Sequence, residues 1–158
     1  MAILIRRSRP GDALAVRKLL RDLGYAGSSR ATDETVSHVL KHPEAFVFVA
    51  VEGLEVIGYI ALSVRPQMRL AGLLATIDEL VVAEGRRAAS VGTQLLEVGV
   101  QHARNLQCRR IEIQTSRERE SYKRRFYEKR GFSEVDSAVL RIDLPAPPSR
   151  SLTPIEKS

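Results

Sequence analysis

The sequence predicts an α/β domain, a single mixed, mostly antiparallel twisted sheet flanked by helices, on three observations. Runs with strand character alternate with runs whose apolar residues recur at helical spacing, from Ile3 to about Leu144. The apolar run Leu80-Val81-Val82 breaks into a short polar turn ending Ser90-Val91-Gly92, then resumes as a helix with Leu95 and Leu96. That helix leads into Arg110-Ile111-Glu112-Ile113-Gln114-Thr115, a crossover that makes the two flanking strands parallel.

The elements follow in order. Ile3-Leu4-Ile5-Arg6-Arg7 reads as a first strand. Pro10-Gly11-Asp12 opens a helix with Val16, Leu19, Leu20 and Leu23 on one face, ended at Gly24. Thr32-Asp33-Glu34 starts a second helix, with Val36, Val39 and Leu40 inward and a stop near Pro43. The connection from Tyr25 to Ala31 is small and polar, and reads equally as a lid or as an ordinary surface loop. Residues 46–51 are apolar on both faces, the mark of a covered central strand. Glu52-Gly53 turns the chain into an antiparallel partner over 56–62. A turn near Pro66 then precedes a strand over 75–82. The next helix presents Gly92, Leu95, Leu96, Gly99 and Ala103 inward, and a charged helix over 118–129 and a strand over 138–144 complete the pattern. One domain over residues 1–144 is expected, with a proline- and serine-rich tail, 145–158, expected to be disordered.

Composition narrows the class. One cysteine, Cys108, excludes an internal disulfide and suits a reducing compartment. No apolar run reaches membrane-spanning length and no signal-peptide order is present, so no membrane association and a cytoplasmic setting are expected. The net charge of +6 invites nucleic acid, but the basic residues are interleaved with acidic ones, and nucleic acid is not expected as a partner. His38, His42 and His102 sit on helices without metal-ligand company, and no metal is expected.

The strand–turn–helix around Ser90 has the makings of an anion cradle. Small residues let the backbone approach, and the first-turn N–H groups and the helix dipole favour negative charge. No Gly-Lys-Ser/Thr follows the glycine and no three-glycine pattern is present, which excludes the nucleoside-triphosphate and dinucleotide loops. The segment Arg87-Ala88-Ala89-Ser90-Val91-Gly92 does resemble the pyrophosphate loop of the GCN5-related N-acetyltransferase (GNAT) family, Gln/Arg-x-x-Gly-x-Gly/Ala, with Ser90 in place of the first glycine. Downstream, Phe126-Tyr127-Glu128-Lys129-Arg130-Gly131-Phe132 resembles the family's Phe/Leu-Tyr-x-x-x-Gly-Phe signature. The resemblance covers most of the chain.

What the resemblance implies is specific. The fold would be the GNAT fold, in which two central parallel strands, here 79–82 and 111–115, splay to hold acetyl-CoA. Arg87, Ala88, Ala89, Ser90, Val91, Gly92 and Thr93 would hold the pyrophosphate, and the backbone of Val81 and Val82 the pantetheine arm and acetyl carbonyl. Tyr127 would protonate the departing thiolate, a transfer its ordinary pKa near 10 allows. Asp78 and Glu79 are neighbours on one strand, and alternation sends them to opposite faces unless a bulge intervenes. Glu79 matches the carboxylate that several relatives use as a base; an acceptor-binding or salt-bridging role stays open. Relatives often place Asn and Ala where this chain has Glu120 and Lys123, so Glu120 is not assigned to the arm. The acceptor would be a primary amine, on a small molecule or on a protein or peptide, and a homodimer stays open. The competing reading is a non-catalytic acetyl-CoA-binding or interaction module on the same fold, favoured by Ser90 and the missing Asn.

Overall fold

The computed structural model describes residues 2–23, 31–86 and 90–145. The chain falls into two compact units, Met1–Ile113 and Gln114–Ser158. Among the described residues the first holds five strands, β1 (Ile3–Arg7), β2 (Ala45–Glu52), β3 (Glu55–Gln67), β4 (Gly72–Val82) and β5 (Arg110–Ile113). They pair in sequence order, antiparallel from β1 through β4 and parallel between β4 and β5. The mixed sheet expected from the sequence is therefore present. Among the described strands, β5 lies at the edge rather than the centre.

Helices cover both faces. On one side α1 (Ala13–Asp22) and α2 (Asp33–Lys41) bring Val16, Leu19 and Val36 against Val47, Val49, Tyr59, Ala61 and Val81. A 3-10 turn, Pro10–Asp12, leads into α1. The buried Asp12 carboxylate accepts from Arg6 at 2.8 and 3.0 Å and from the Arg9 N–H at 2.7 Å. Those bonds, the Arg6 guanidinium first, hold its carboxyl below the usual range. Thr32 caps α2, its hydroxyl accepting from Thr35 N at 3.2 Å.

The opposite face takes α3 (Val91–Asn105), with Val91, Leu95, Leu96, Gly99 and Ala103 buried. Each buried leucine of this kind contributes about 1.5–3 kcal/mol. Gly99 sits where a Cβ would come within 2.8 Å of Ile60 Cδ1, so helix and sheet approach more closely than a larger residue permits. His102, on the same helix, packs against Phe46 and Phe48, with ring centroids 4.6 and 5.2 Å away.

Four expectations need correction. Pro66 is inside β3, and the turn comes later, at Met68–Leu70 with Ala71 left-handed (φ 49°). A proline is tolerated there because β2 pairs with β3 only as far as Ser63, leaving β4 as the neighbour. β4 accordingly starts at Gly72 rather than at 75. The charged helix over 118–129 is interrupted. α4 spans Glu120–Lys123, and a 3-10 turn, Glu128–Arg130, follows separately. Arg125 is left-handed (φ 55°), with Phe126 N donating to Ser121 O and Arg125 N to Tyr122 O. This pair of bonds is a Schellman stop, built on arginine where glycine is usual. Finally, 138–144 forms no strand, although Leu140, Ile142 and Leu144 alternate. Alternation alone cannot hold an extended segment that makes no ladder.

Candidate active site

β4 carries the feature on which the site is built. Along β3 and β4 the partners are Leu62 with Ile77 and Ala61 with Glu79, so Asp78 is an extra residue, a β-bulge. Ile77 lies level with Leu62, which packs toward Gly99 on α3. Past the bulge, Glu79 and Val81 lie level with Ala61 and Tyr59, on the face covered by α1 and α2. The extra residue thus moves Glu79 onto the α1–α2 side. Asp78 joins it there, because its Oδ1 accepts from the Ser63 hydroxyl at 3.2 Å, and Ser63 shares a face with Ala61. The alternation that would have separated the two carboxylates is broken.

The electrostatics follow. Glu79 is half-buried, and its carboxyl is pushed up to about 7, by burial first and by the Asp78 charge second. Asp78 is still reached by solvent. Burial raises it nonetheless, and the Ser63 hydrogen bond works in the other direction. Tyr59, 2% exposed, has its phenol raised by burial and by Glu79, so it stays protonated. Tyr59, Ser63 and the bulge were not singled out from the sequence. The period-two spacing of Tyr59, Ala61 and Ser63 marks them as one face, but no residue pattern announces the inserted Asp78.

Beyond the bulge, the β4–β5 ladder stops at Ile77 and Ile113, while β4 runs on to Val82 beside β3. Ala83 N donates to Ile57 O at 2.8 Å, so by the two-residue period Val81 directs its backbone groups to β3. Leu80 and Val82 direct theirs toward the side where β5 has ended. α3 then begins at Val91. Ser90, its N-cap, is left-handed (φ 59°), and its hydroxyl accepts from Gln94 Nε2 at 3.1 Å. Gln94 N donates to Ser90 O at 3.0 Å, so the Val91 and Gly92 N–H groups stand ahead of the helix's own ladder. Arg87, Ala88 and Ala89 lie outside the described residues, as do Gly24, residues 25–30 of the expected lid and the tail from 146. Arg86, just before that gap, is ion-paired to Glu52.

The second unit holds Tyr127. It lies between Phe126 and Phe132, with ring centroids 5.0 and 5.9 Å away. Gly131 (φ 94°) closes the turn in a second Schellman arrangement, Phe132 N donating to Tyr127 O at 3.2 Å. Glu134 accepts from Arg117 and, at 2.7 Å, from the Tyr122 hydroxyl, and these bonds, Arg117 first, hold its carboxyl low. The Arg130 guanidinium stacks 4.1 Å from the Phe126 ring centre.

Comparison with known proteins decides the family. Residues 13–132 match the profile of the Acetyltransferase (GNAT) family. The chain belongs to the GNAT family. Solved structures agree on the fold of this GNAT protein. A transcriptional regulator from Bacillus halodurans C-125 superposes with a TM-score of 0.78 at 22% identity, covering 90% of this chain and 100% of that one. Glucosamine-6-phosphate N-acetyltransferase from Arabidopsis thaliana gives 0.74 at 20%, covering 90% and 99%. AAC(6')-Iy, solved with the bisubstrate analogue CoA-S-monomethyl-acetylneamine, gives 0.77 at 18%, covering 91% and 99%. No curated protein sequence matches significantly. Membership makes the chain a member of a family of acetyltransferases that use acetyl-CoA. Among the described residues no helix is long and apolar enough to cross a membrane.

Proposed function

We propose that this GNAT protein is an acetyl-CoA-dependent N-acetyltransferase that moves an acetyl group to a primary amine by direct transfer in a ternary complex. The observation that carries the reading is Glu79, turned by the bulge onto the α1–α2 face with its pKa raised to about 7. A carboxylate of that basicity takes a proton from an ammonium far more readily than an ordinary glutamate, so Glu79 is the base.

The residues present fit acetyl-CoA. Val91 and Gly92 N–H groups head α3, where an anion gains from both the donors and the dipole. We assign the pyrophosphate to the loop Arg87, Ala88, Ala89, Ser90, Val91, Gly92 and Thr93. We assign the pantetheine arm to the β4 end at Val82 and not to Val81, whose backbone groups turn to β3; backbone donors at such a position stabilise charge developing on a carbonyl. When bound, acetyl-CoA supplies an acetyl group activated as a thioester. Glu79 removes the proton from the amine, and Tyr127 gives one to the departing thiolate. No metal enters this scheme. The acceptor is a small-molecule amine or a protein or peptide amine, in a cytoplasmic setting, with a homodimer allowed.

Titration calorimetry with acetyl-CoA, using CoA and ATP as comparators, tests the reading, followed by an amine panel read through release of free thiol. Micromolar binding with turnover of at least one amine is expected. A folded protein that fails to bind acetyl-CoA would falsify it. Binding without turnover of any amine favours the alternative, a non-catalytic acetyl-CoA-binding or interaction module, toward which Ser90 at the loop's glycine position also points.

A further inference from the structure

We propose that Asp78 is a positioning residue for Glu79: the β4 bulge sets both carboxylates on one face, the Ser63 hydroxyl holds Asp78 there, and its standing charge makes Glu79 the stronger proton acceptor. The inference rests on Glu79 being the base. An ammonium donates its proton to the Glu79 carboxylate, the N–H bond breaking, the O–H bond forming and the electron pair staying on nitrogen. Before that transfer two negative charges adjoin; after it one remains. Relief of their repulsion favours the transfer, and the effect is greatest where neighbouring protein limits solvent screening.

The surroundings leave this pairwise effect legible. From β3, Tyr59 faces Glu79 with a protonated phenol. α1 and α2 bring Val16, Leu19 and Val36 to this face, and their Arg17 and Asp33 pair with each other at 2.7 Å. On β5, Glu112 lies level with Thr76 and is engaged by Arg110 at 3.6 Å. Among the described residues, then, Asp78 is the charge that acts on Glu79. Ser63 has a definite part. By donating to Asp78 it favours the ionised form of Asp78, which keeps its charge while Glu79 takes the proton.

The test follows Glu79 directly. Carbon-13 carboxyl titrations of the full-length protein, parent against Asp78→Asn, report the Glu79 midpoint, with Glu79→Gln identifying its resonance. In Asp78→Asn the midpoint is expected to fall by about one pH unit. The acidic limb of the kcat/KM profile for a panel amine should fall with it. Asp78→Glu, which restores the charge, is expected to return both toward the parent. Should Asp78→Asn fail to fold, Asp78→Ser, small enough for the bulge, takes its place. A midpoint that stays near the parent value in either neutral variant overturns the role of Asp78, even where Glu79→Gln is slow. A Glu79→Gln protein as fast as the parent instead removes the base itself, and the role of Asp78 in the reaction with it.

Discussion

Glu79 sits where folding works against its charge. Its ordinary value of 4.5 rises to about 7 in the folded chain, so the folded state holds the proton over a range where the unfolded chain has released it. The sign follows from linkage. Stability falls as pH rises from about 4.5 through 7, because the unfolded state binds fewer protons there. Glu79→Gln removes that penalty. At pH 8 the variant is expected to be more stable than the parent by about 1–2 kcal/mol, allowing for solvent screening at a half-buried group, with the difference gone at pH 4. Thermal unfolding at the two pH values measures this, and an unchanged gap between them would remove the shift. Activity should move oppositely, since the base is what the variant loses. Tyr127 makes a separate demand. With the phenol as the acid, Tyr127→Phe keeps its affinity for acetyl-CoA while kcat falls by roughly 10²–10⁴. Unchanged turnover would leave the ring as packing between Phe126 and Phe132.

Element by element, the sequence was readable where a period reports burial and silent where the backbone departs from its period. The spacing of Val16 and Leu19, and of Leu95, Leu96, Gly99 and Ala103, gave α1 and α3 with their inward faces, and those residues are buried. The bulge at Asp78 and the left-handed Arg125 carry no such signal. A bulge is decided by how two strands register, and nothing in the residue Asp marks it. An arginine at a Schellman stop likewise runs against local preference, so the helix was expected to continue. Ser90 lies between these cases. The motif asks for glycine there, and the observed φ of 59° gives the reason, since a Cβ is strained in the left-handed region. Ser90→Gly is therefore expected to stabilise the protein by about 0.5–1 kcal/mol, offset in part by the lost Gln94 hydrogen bond and by the greater freedom of the unfolded chain. It should also keep or tighten acetyl-CoA binding. Denaturant unfolding and calorimetry read the two effects separately. Weaker binding in a stable Ser90→Gly protein would mean that the hydroxyl itself contacts the ligand.

At the scale of the whole molecule, the family match over residues 13–132 runs through both compact units, so the acetyltransferase assignment does not rest on one of them. Ligand binding can then be read as stability. A compound that binds the folded chain and not the unfolded one stabilises it by about 2.7 kcal/mol at a hundred times its Kd. For a chain of this size that corresponds to a rise in Tm of roughly 5–10 °C. The net charge of +6 favours any polyanion to some degree, so the comparison between ligands decides the matter. CoA carries the pyrophosphate and the arm, whereas ATP carries phosphates without an arm. If the cradle at α3 and the end of β4 act together, acetyl-CoA and CoA should both raise Tm well above ATP at equal concentration. Added salt should reduce the ATP shift proportionally more, because simple charge attraction is screened over about 10 Å at 0.1 M. Equal shifts from all three, vanishing together in salt, would reduce the site to a basic surface, and the assignment of the arm to β4 would fail with it.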